Sequence, residues 1–235
     1  MKLPEFKIGK RKVGPKYPPL IIVELGINHN GNFGLAKKII LSAKKSGAEI
    51  IKHQTHLPYY EMSEEAKKIV PVHTKENIYE IIKKCALRIS EEKKLKKFVE
   101  SQKLTFISTP FSREAADQLN LMKVKAFKIG SGECNNYPLI EYICKFKKPI
   151  ILSTGMNDIK SIKVACKIIE KHNINYALMH TTNLYPTPTN LIRLNSLKEL
   201  KKNFPRAVIG LSDHTSDNLT SFAAIALGAS IIEKH

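Results

Sequence analysis

The sequence predicts a (β/α)8 TIM barrel, preceded by a short hairpin and truncated after its eighth strand. Three observations carry that prediction. Short β-branched apolar runs recur along the chain, each ending in polar residues and followed by a segment with helical spacing. Runs such as Leu20-Ile-Ile-Val are apolar without alternation, as in parallel strands buried on both faces. The length of 235 residues suits one domain with a substantial core and leaves little room for a second.

Taken in order, residues 1–18 form an extension whose pieces Phe6-Lys-Ile-Gly and Arg11-Lys-Val-Gly-Pro read as a hairpin, placed to plug the foot of a barrel. The barrel itself occupies 19–235. Its first strand is Leu20–Glu24, followed by the polar loop Asn28-His-Asn-Gly-Asn and a helix from Leu35 to Ser46 that Gly47 terminates. The second strand, Glu49–Lys52, runs into Lys52-His-Gln-Thr-His56. An excursion over 57–87 contains the helical Ile78–Cys85. A helix over 91–102 leads to a strand at 104–108, and the pattern repeats. Helix 114–122 precedes strand 126–129, helix 138–146 precedes strand 149–153, and helix 159–172 precedes strand 176–180. Helix 194–204 leads into Val208-Ile-Gly-Leu-Ser-Asp-His-Thr215. Segment 218–228 is a further helix, and Ser230-Ile-Ile-Glu-Lys-His235 is the closing strand. No eighth helix follows it, so the chain is expected to be a piece of a longer protein, with Ile231 or Ile232 left bare on the barrel's outside.

The composition excludes several classes. No apolar run approaches the ~20 residues of a membrane span, and Met1-Lys-Leu-Pro-Glu-Phe lacks the apolar core of a signal peptide. Cys85, Cys134, Cys144 and Cys166 are scattered with no CxxC pair, as suits a reducing cytoplasm. The formal charge of +18 is carried by lysines spread over helix faces, such as Lys37-Lys38, Lys93-Lys94 and Lys201-Lys202. That spread argues for solvated faces and against a nucleic-acid arm, while the field favours an anionic substrate.

In a parallel barrel all strand C-termini share one rim, where active sites are built. Collecting those ends gives Glu24, Lys52, Gln54, Thr109, Lys128, Ser131, Glu133, Ser153, His180, Asn183, Tyr185, Asp213, His214, Glu233 and His235. Two readings stand for each group. His214 and His235 end neighbouring strands and form either a two-histidine metal site with open positions or a pair of hydrogen-bonded rim residues. Lys52 and Lys128, with Thr109, Ser131 and Ser153, describe a phosphate or phosphate-plus-carboxylate site, or else ion pairs with nearby glutamates. Glu24 and Glu133 are candidates for general acid–base work or for neutralising a lysine.

The motifs Glu24-Leu-Gly-Ile-Asn-His-Asn-Gly31, Ile51-Lys-His-Gln-Thr-His56, Ser108-Thr-Pro-Phe111, Phe127-Lys-Ile-Gly-Ser-Gly-Glu-Cys-Asn-Asn136, Ser153-Thr-Gly-Met156, Asn183-Leu-Tyr-Pro186, Gly210-Leu-Ser-Asp-His-Thr215 and Glu233-Lys-His235 together resemble the sialic acid synthase family. The likeness runs from about residue 18 to the end. It implies condensation of phosphoenolpyruvate with N-acetylmannosamine to N-acetylneuraminate and phosphate, with a divalent metal, Mn²⁺ before Mg²⁺ or Co²⁺, on His214 and His235. It implies that Lys52, Thr109, Lys128, Ser131, Ser153 and Asn183 hold phosphoenolpyruvate. Tyr185, Gln54 and Glu24 face the sugar, and Phe111 contacts substrate. Glu133, with Glu24 as competitor, handles the proton of the water that adds. The sequences at 51–56 and 133–136 resemble the N-acetylneuraminate branch more than the legionaminic or pseudaminic relatives. The family's C-terminal antifreeze-like domain, which completes the sugar site of the partner in a homodimer, has no counterpart in these residues. The competing classes are another phosphoenolpyruvate-using barrel enzyme, such as a sugar-phosphate condensing synthase or an aldolase using Lys128 as a Schiff base, and a non-enzymatic barrel that binds anions or nucleic acid through its charge.

Overall fold

The computed structural model describes residues 3–71 and 74–235; the readings that touch Met1, Lys2, Val72 and His73 fall outside these. Strands β1 (Phe6–Ile8) and β2 (Arg11–Val13) pair antiparallel. Eight parallel strands then close into a barrel: β3 (Leu20–Gly26), β4 (Ile50–Thr55), β5 (Thr105–Pro110), β6 (Phe127–Ile129), β7 (Ile150–Ser153), β8 (Tyr176–Thr181), β9 (Val208–Asp213) and β10 (Ile231–Lys234). The last closes the ring by pairing with both β9 and β3. The (β/α)8 expectation and the N-terminal hairpin are thus confirmed.

The helices follow the strands in sequence, and five of them begin where a short polar side chain caps the first turn. They are α1 (Phe33–Lys45), α2 (Pro58–Glu61), α3 (Ile78–Cys85), α4 (Ile89–Ser101), α5 (Arg113–Leu121), α6 (Tyr137–Cys144), α7 (Ile159–Lys171), α8 (Ser196–Asn203) and α9 (Leu219–Ala226). Asn32, Asn77, Ser112, Asn136 and Asp158 each accept a backbone N–H from the first turn of α1, α3, α5, α6 and α7. The helices at 33 and 113 therefore start before the apolar spacing announces them. The short α2, which opens with Pro58 at its first position, carries no periodic signal and was not foreseen.

Strand alternation sorts the core into two shells. Leu20, Ile22, Ile50, Ile107, Ala126, Ile151, Ala177, Met179, Val208 and Ile231 fill the barrel, and Phe6, Ile8 and Val13 of the hairpin join them. The hairpin thus closes the foot of the barrel with apolar side chains. Their neighbours on the strands, including Ile51, Phe106, Phe127, Ile150, Leu152, Leu178, Ile209 and Leu211, point outward into a larger cluster with the helices. The closing strand departs from expectation. Ile231 is 0% and Ile232 3% exposed, because Ile231 faces the barrel interior and Ile232 lies in the outer cluster with Ala224 and Ala229. Neither presents a bare apolar surface.

Candidate active site

The same alternation decides which strand-end residues face the mouth. Continuing inward parity from the apolar layer leads from Ile22 to Glu24, Ile50 to Lys52 and Gln54, Ile107 to Thr109, and Ala126 to Lys128. It leads likewise from Ile151 to Ser153, Met179 to Thr181, Gly210 to Ser212 and His214, and Ile231 to Glu233 and His235. The cavity at this end is lined by Lys52, Gln54, Thr109, Phe111, Lys128, Gly130, Ser131, Ser153, Thr181, Asn183, Tyr185, Ser212, His214, Glu233 and His235. Every predicted binding and metal residue is in that lining; neither predicted glutamate is, although Glu24 bonds to Lys52 and Gln54 of the lining, whereas Glu133 bonds to Asn136.

Two expected rim residues have the wrong parity. His180 points outward and its Nε2 donates to the carbonyl of Ile192. Asp213 is buried outside the barrel, where Thr215, Thr220 and Ser221 donate to it. Although burial pushes its carboxyl up, those bonds hold it at about 2. Glu133 lies on the 3-10 turn Ser131–Glu133, and its carboxylate accepts from Asn136 Nδ2 at 2.6 Å. Motif reading left Glu233, Ser212 and Thr181 without a role; Glu233 is among the collected strand ends, and counting by twos from the apolar layer finds the other two.

Glu233 is the electrostatic centre. Its Oε1 lies 3.2 Å from Lys128 Nζ and 3.7 Å from Lys52 Nζ, and accepts from Ser212 Oγ at 2.8 Å. Burial opposes its ionisation, but Lys128 and Lys52 hold its carboxyl far below the usual range. Lys52 also meets Glu24 Oε2 at 2.5 Å. Burial alone would pull Lys52 down, and the combined Glu233 and Glu24 carboxylates keep it above its ordinary value. Lys128 has a poorer bargain: burial pulls it down to about 8, with Glu233 opposing and Lys52 adding repulsion. It donates to Ser153 Oγ at 2.7 Å. Close by, Thr109 Oγ1 and Asn183 Oδ1 are buried without a hydrogen-bond partner among the described residues. Buried polar atoms are rarely left so, and here they stand around two ammonium groups.

Gly155 sets how closely this wall packs. A Cβ there would collide with Asn183 Oδ1 and lie 2.7 Å from the carbonyl oxygen of Thr181. Gly26, at φ +51, ends the β3 irregularity and leaves room for the Glu24 carboxylate, which a Cβ would approach to 2.8 Å.

His214 and His235 meet edge to face, ring centres 4.2 Å apart, and Tyr185 stacks on His214 at 4.0 Å. Burial lowers His214 to about 4, with its neighbour His235 adding, and lowers His235 to about 4 against the pull of Glu233. Both are neutral imidazoles at pH 7. His214 Nδ1 donates to the Thr182 carbonyl at 2.7 Å, which fixes the tautomer and turns the Nε2 lone pair inward. Ser212 Oγ is 3.2 Å from that Nε2 but spends its hydrogen on Glu233. Two neutral nitrogen donors with one tautomer locked fit a divalent metal. Among the described residues no group of three or more His, Cys, Asp or Glu could hold one, so further coordination would come from water or substrate.

A second buried polar cluster lies on the outer side of β4. Thr55 Oγ1 donates to Glu92 Oε1 of α4 and is 2.7 Å from Ser108 Oγ, and His53 Nε2 is 3.4 Å from the same carboxyl oxygen. Burial pushes Glu92 up to about 7 and, with His29 adding, His53 down to about 3. The pair is close but not an ion pair at neutral pH.

Comparison with known proteins agrees with the barrel fold. Residues 39–235 match the model of the NeuB family. The chain belongs to the NeuB family. It is 40% identical over 224 residues to N,N'-diacetyllegionaminic acid synthase of Campylobacter jejuni, covering 92% of this chain and 66% of the relative. It is 31% identical over 228 residues to N-acetylneuraminate-9-phosphate synthase of Homo sapiens, covering 96% and 64%. The crystal structure of N-acetylneuraminic acid (sialic acid) synthetase from Leptospira borgpetersenii, in complex with citrate, superposes with a TM-score of 0.88 at 28% identity, over 99% of this chain and 78% of that one. The chain therefore spans about two thirds of the length of the curated relatives it matches. No described helix is long and apolar enough to cross a membrane.

Proposed function

We propose that this chain is the catalytic barrel of a synthase that condenses phosphoenolpyruvate with N-acetylmannosamine to N-acetylneuraminate and phosphate. The observation that carries the reading is the pair of buried ammonium groups, Lys52 and Lys128, sharing one carboxylate beside the unpartnered Thr109 hydroxyl. These ammonium groups and the Thr109 hydroxyl are donors converging on one cavity, and a phosphate with an adjoining carboxylate accepts from them. Lys52, Lys128, Thr109, Ser131, Ser153 and Asn183 hold the phosphoenolpyruvate; Gln54, Glu24, Tyr185 and Phe111 face the sugar. His214 and His235 would hold a divalent metal, Mn²⁺ first, which when bound would supply Lewis-acid activation of the aldehyde.

The enol carbon of phosphoenolpyruvate forms the new bond to the aldehyde carbon, whose oxygen takes up a proton. Cationic character develops at the carbon bearing phosphate, next to the Glu233 carboxylate, and water adds there. The resulting tetrahedral centre expels phosphate as the ketone forms. Lys128 and Lys52 meet the charge on the departing group. The proton of the added water is assigned to Glu24. It reaches Lys52 and Gln54, both in the mouth, whereas Glu133 is bound to Asn136 outside it. We further assign the working enzyme to the cytoplasm and to a homodimer, following the resemblance.

Incubating the full-length protein with phosphoenolpyruvate, N-acetylmannosamine and Mn²⁺ should release phosphate and form N-acetylneuraminate, detected by mass spectrometry. The 40% identity to the legionaminic acid synthase favours a second reading, in which the aldehyde carries a second acetamido group. Phosphate release with that acceptor alone would select it. Release with neither, or trapping of Lys128 by borohydride and pyruvate, would refute the synthase reading.

A further inference from the structure

Behind Gln54 a hydrogen-bond chain runs away from the mouth into α2. Gln54 Nε2 donates to Glu24 Oε1 at 2.9 Å, and its Oε1 lies 3.0 Å from His56 Nε2. His56 Nδ1 lies 2.9 Å from Glu61 Oε1, and Glu61 Oε2 accepts the backbone N–H of Leu57 at 3.3 Å. The side chains of His56 and Glu61 are only 5% and 4% exposed. The imidazole lies flat on Phe111, 4.3 Å between centres and tilted by 10°. None of the roles assigned above uses His56 or Glu61.

We propose that His56 and Glu61 are positioning residues that fix the orientation of the Gln54 amide, and through it the Glu24 carboxylate, on the sugar side of the mouth. This rests on the reaction proposed above, which puts Gln54 and Glu24 against the sugar. A primary amide is nearly symmetric in shape and opposite in polarity at its two ends, so its surroundings must choose which end faces which way. Glu24 is held by the Lys52 ammonium at 2.5 Å and needs a donor at its other oxygen. His56 supplies the complementary demand, an N–H facing the amide oxygen. Glu61 Oε1, 2.9 Å from the other ring nitrogen, anchors the imidazole on its far side, and on the mouth side the bonds run from imidazole through amide to Glu24. A flipped amide would set its oxygen against the Glu24 carboxylate. Other titratable groups around the ring are His29 and His53 on the barrel wall; neither interrupts the chain. Phe111 holds the ring plane, so a small shift of α2 is transmitted to the mouth.

The test is a double-mutant cycle in the full-length protein, with His56→Phe, Gln54→Ala and both together. His56→Phe should raise the KM for the amino sugar about tenfold, the worth of one hydrogen bond, and leave the KM for phosphoenolpyruvate within about twofold. In the Gln54→Ala background it should have no further effect. Equal losses in both backgrounds, or equal rises in both KM values, would overturn the proposal. A second measurement needs no turnover. In the 235-residue chain, the Gln54 side-chain amide protons should exchange with solvent about tenfold faster after His56→Phe, and unchanged exchange overturns it. An unmutated protein that consumes no phosphoenolpyruvate would sink the reaction instead, and the exchange arm would still decide the positioning.

Discussion

Replacing Glu92 by Gln should stabilise the chain, and by an amount that depends on pH. The carboxyl is 2% exposed, and burial moves it from its ordinary 4.5 to about 7 in the folded state. Below pH 4.5 the folded and unfolded chains both hold the proton and the site costs nothing through ionisation. Between 4.5 and about 7 the unfolded chain ionises first, so stability falls as pH rises, by up to ~1.36 kcal/mol per pH unit. Above about 7 the full cost, about 3 kcal/mol, is present. His53 works the other way: lowered to about 3 from 6.5, it makes stability rise with pH between those values. The two trends oppose each other from 4.5 to 6.5, which masks both in the parent chain. In Glu92→Gln the falling trend disappears. Urea denaturation at pH 4.5, 6, 7 and 8 should show the variant gaining from zero to about 3 kcal/mol relative to the parent across that range. A loss from the new amide N–H lacking an acceptor carries no pH dependence, so it offsets the curve without bending it. A difference independent of pH would refute the account of Glu92.

Other outcomes follow from the mouth. Lys52→Met and Lys128→Met should each weaken phosphoenolpyruvate binding by ~1.5–3 kcal/mol by calorimetry, the worth of a hydrogen bond to a charged group; unchanged affinity in both would leave them as ion pairs. Because Lys128 loses its proton near about 8 in the free site, phosphoenolpyruvate affinity should decline above that pH in the parent, and that decline should be missing in Lys128→Met. His214→Ala and His235→Ala should each abolish Mn²⁺ binding with the far-UV spectrum nearly intact; wild-type metal affinity in either overturns the ligand assignment. Gly155→Ala should cost ~1–3 kcal/mol of stability, as overpacking does, and should weaken phosphoenolpyruvate binding by displacing Asn183. The 235 residues should bind phosphoenolpyruvate by calorimetry; no detectable binding would contradict the roles given to Lys52, Lys128 and Thr109.

Much of this was legible because a barrel writes its geometry into a short period. The strands were visible as apolar runs, and their ends collected Lys52, Lys128, Thr109, Ser153 and the two histidines at one mouth. The failures came from reading strand ends as sets and not as alternations. His180 and Asp213 are adjacent in sequence to mouth residues and face the other way. Glu233 was collected with the strand ends yet given no role, because its importance arises from strands far apart in sequence, with Lys128 105 residues away. The buried Glu92 was unreadable for a related reason. It sits in the run Glu91-Glu92-Lys93-Lys94, which looks like a solvated face, and only the packing of α4 on β4 removes one of those four from water.

The sharing of Glu233 between two lysines has a thermodynamic consequence. With Glu24 counted, the two ammonium groups at the mouth are already matched by two carboxylates. An anion arriving alone leaves this set in excess negative charge, and a divalent cation arriving alone leaves it in excess positive charge; the two together restore balance. Metal and phosphoenolpyruvate should therefore each raise the other's affinity, and linkage requires the factor to be the same whichever is titrated first.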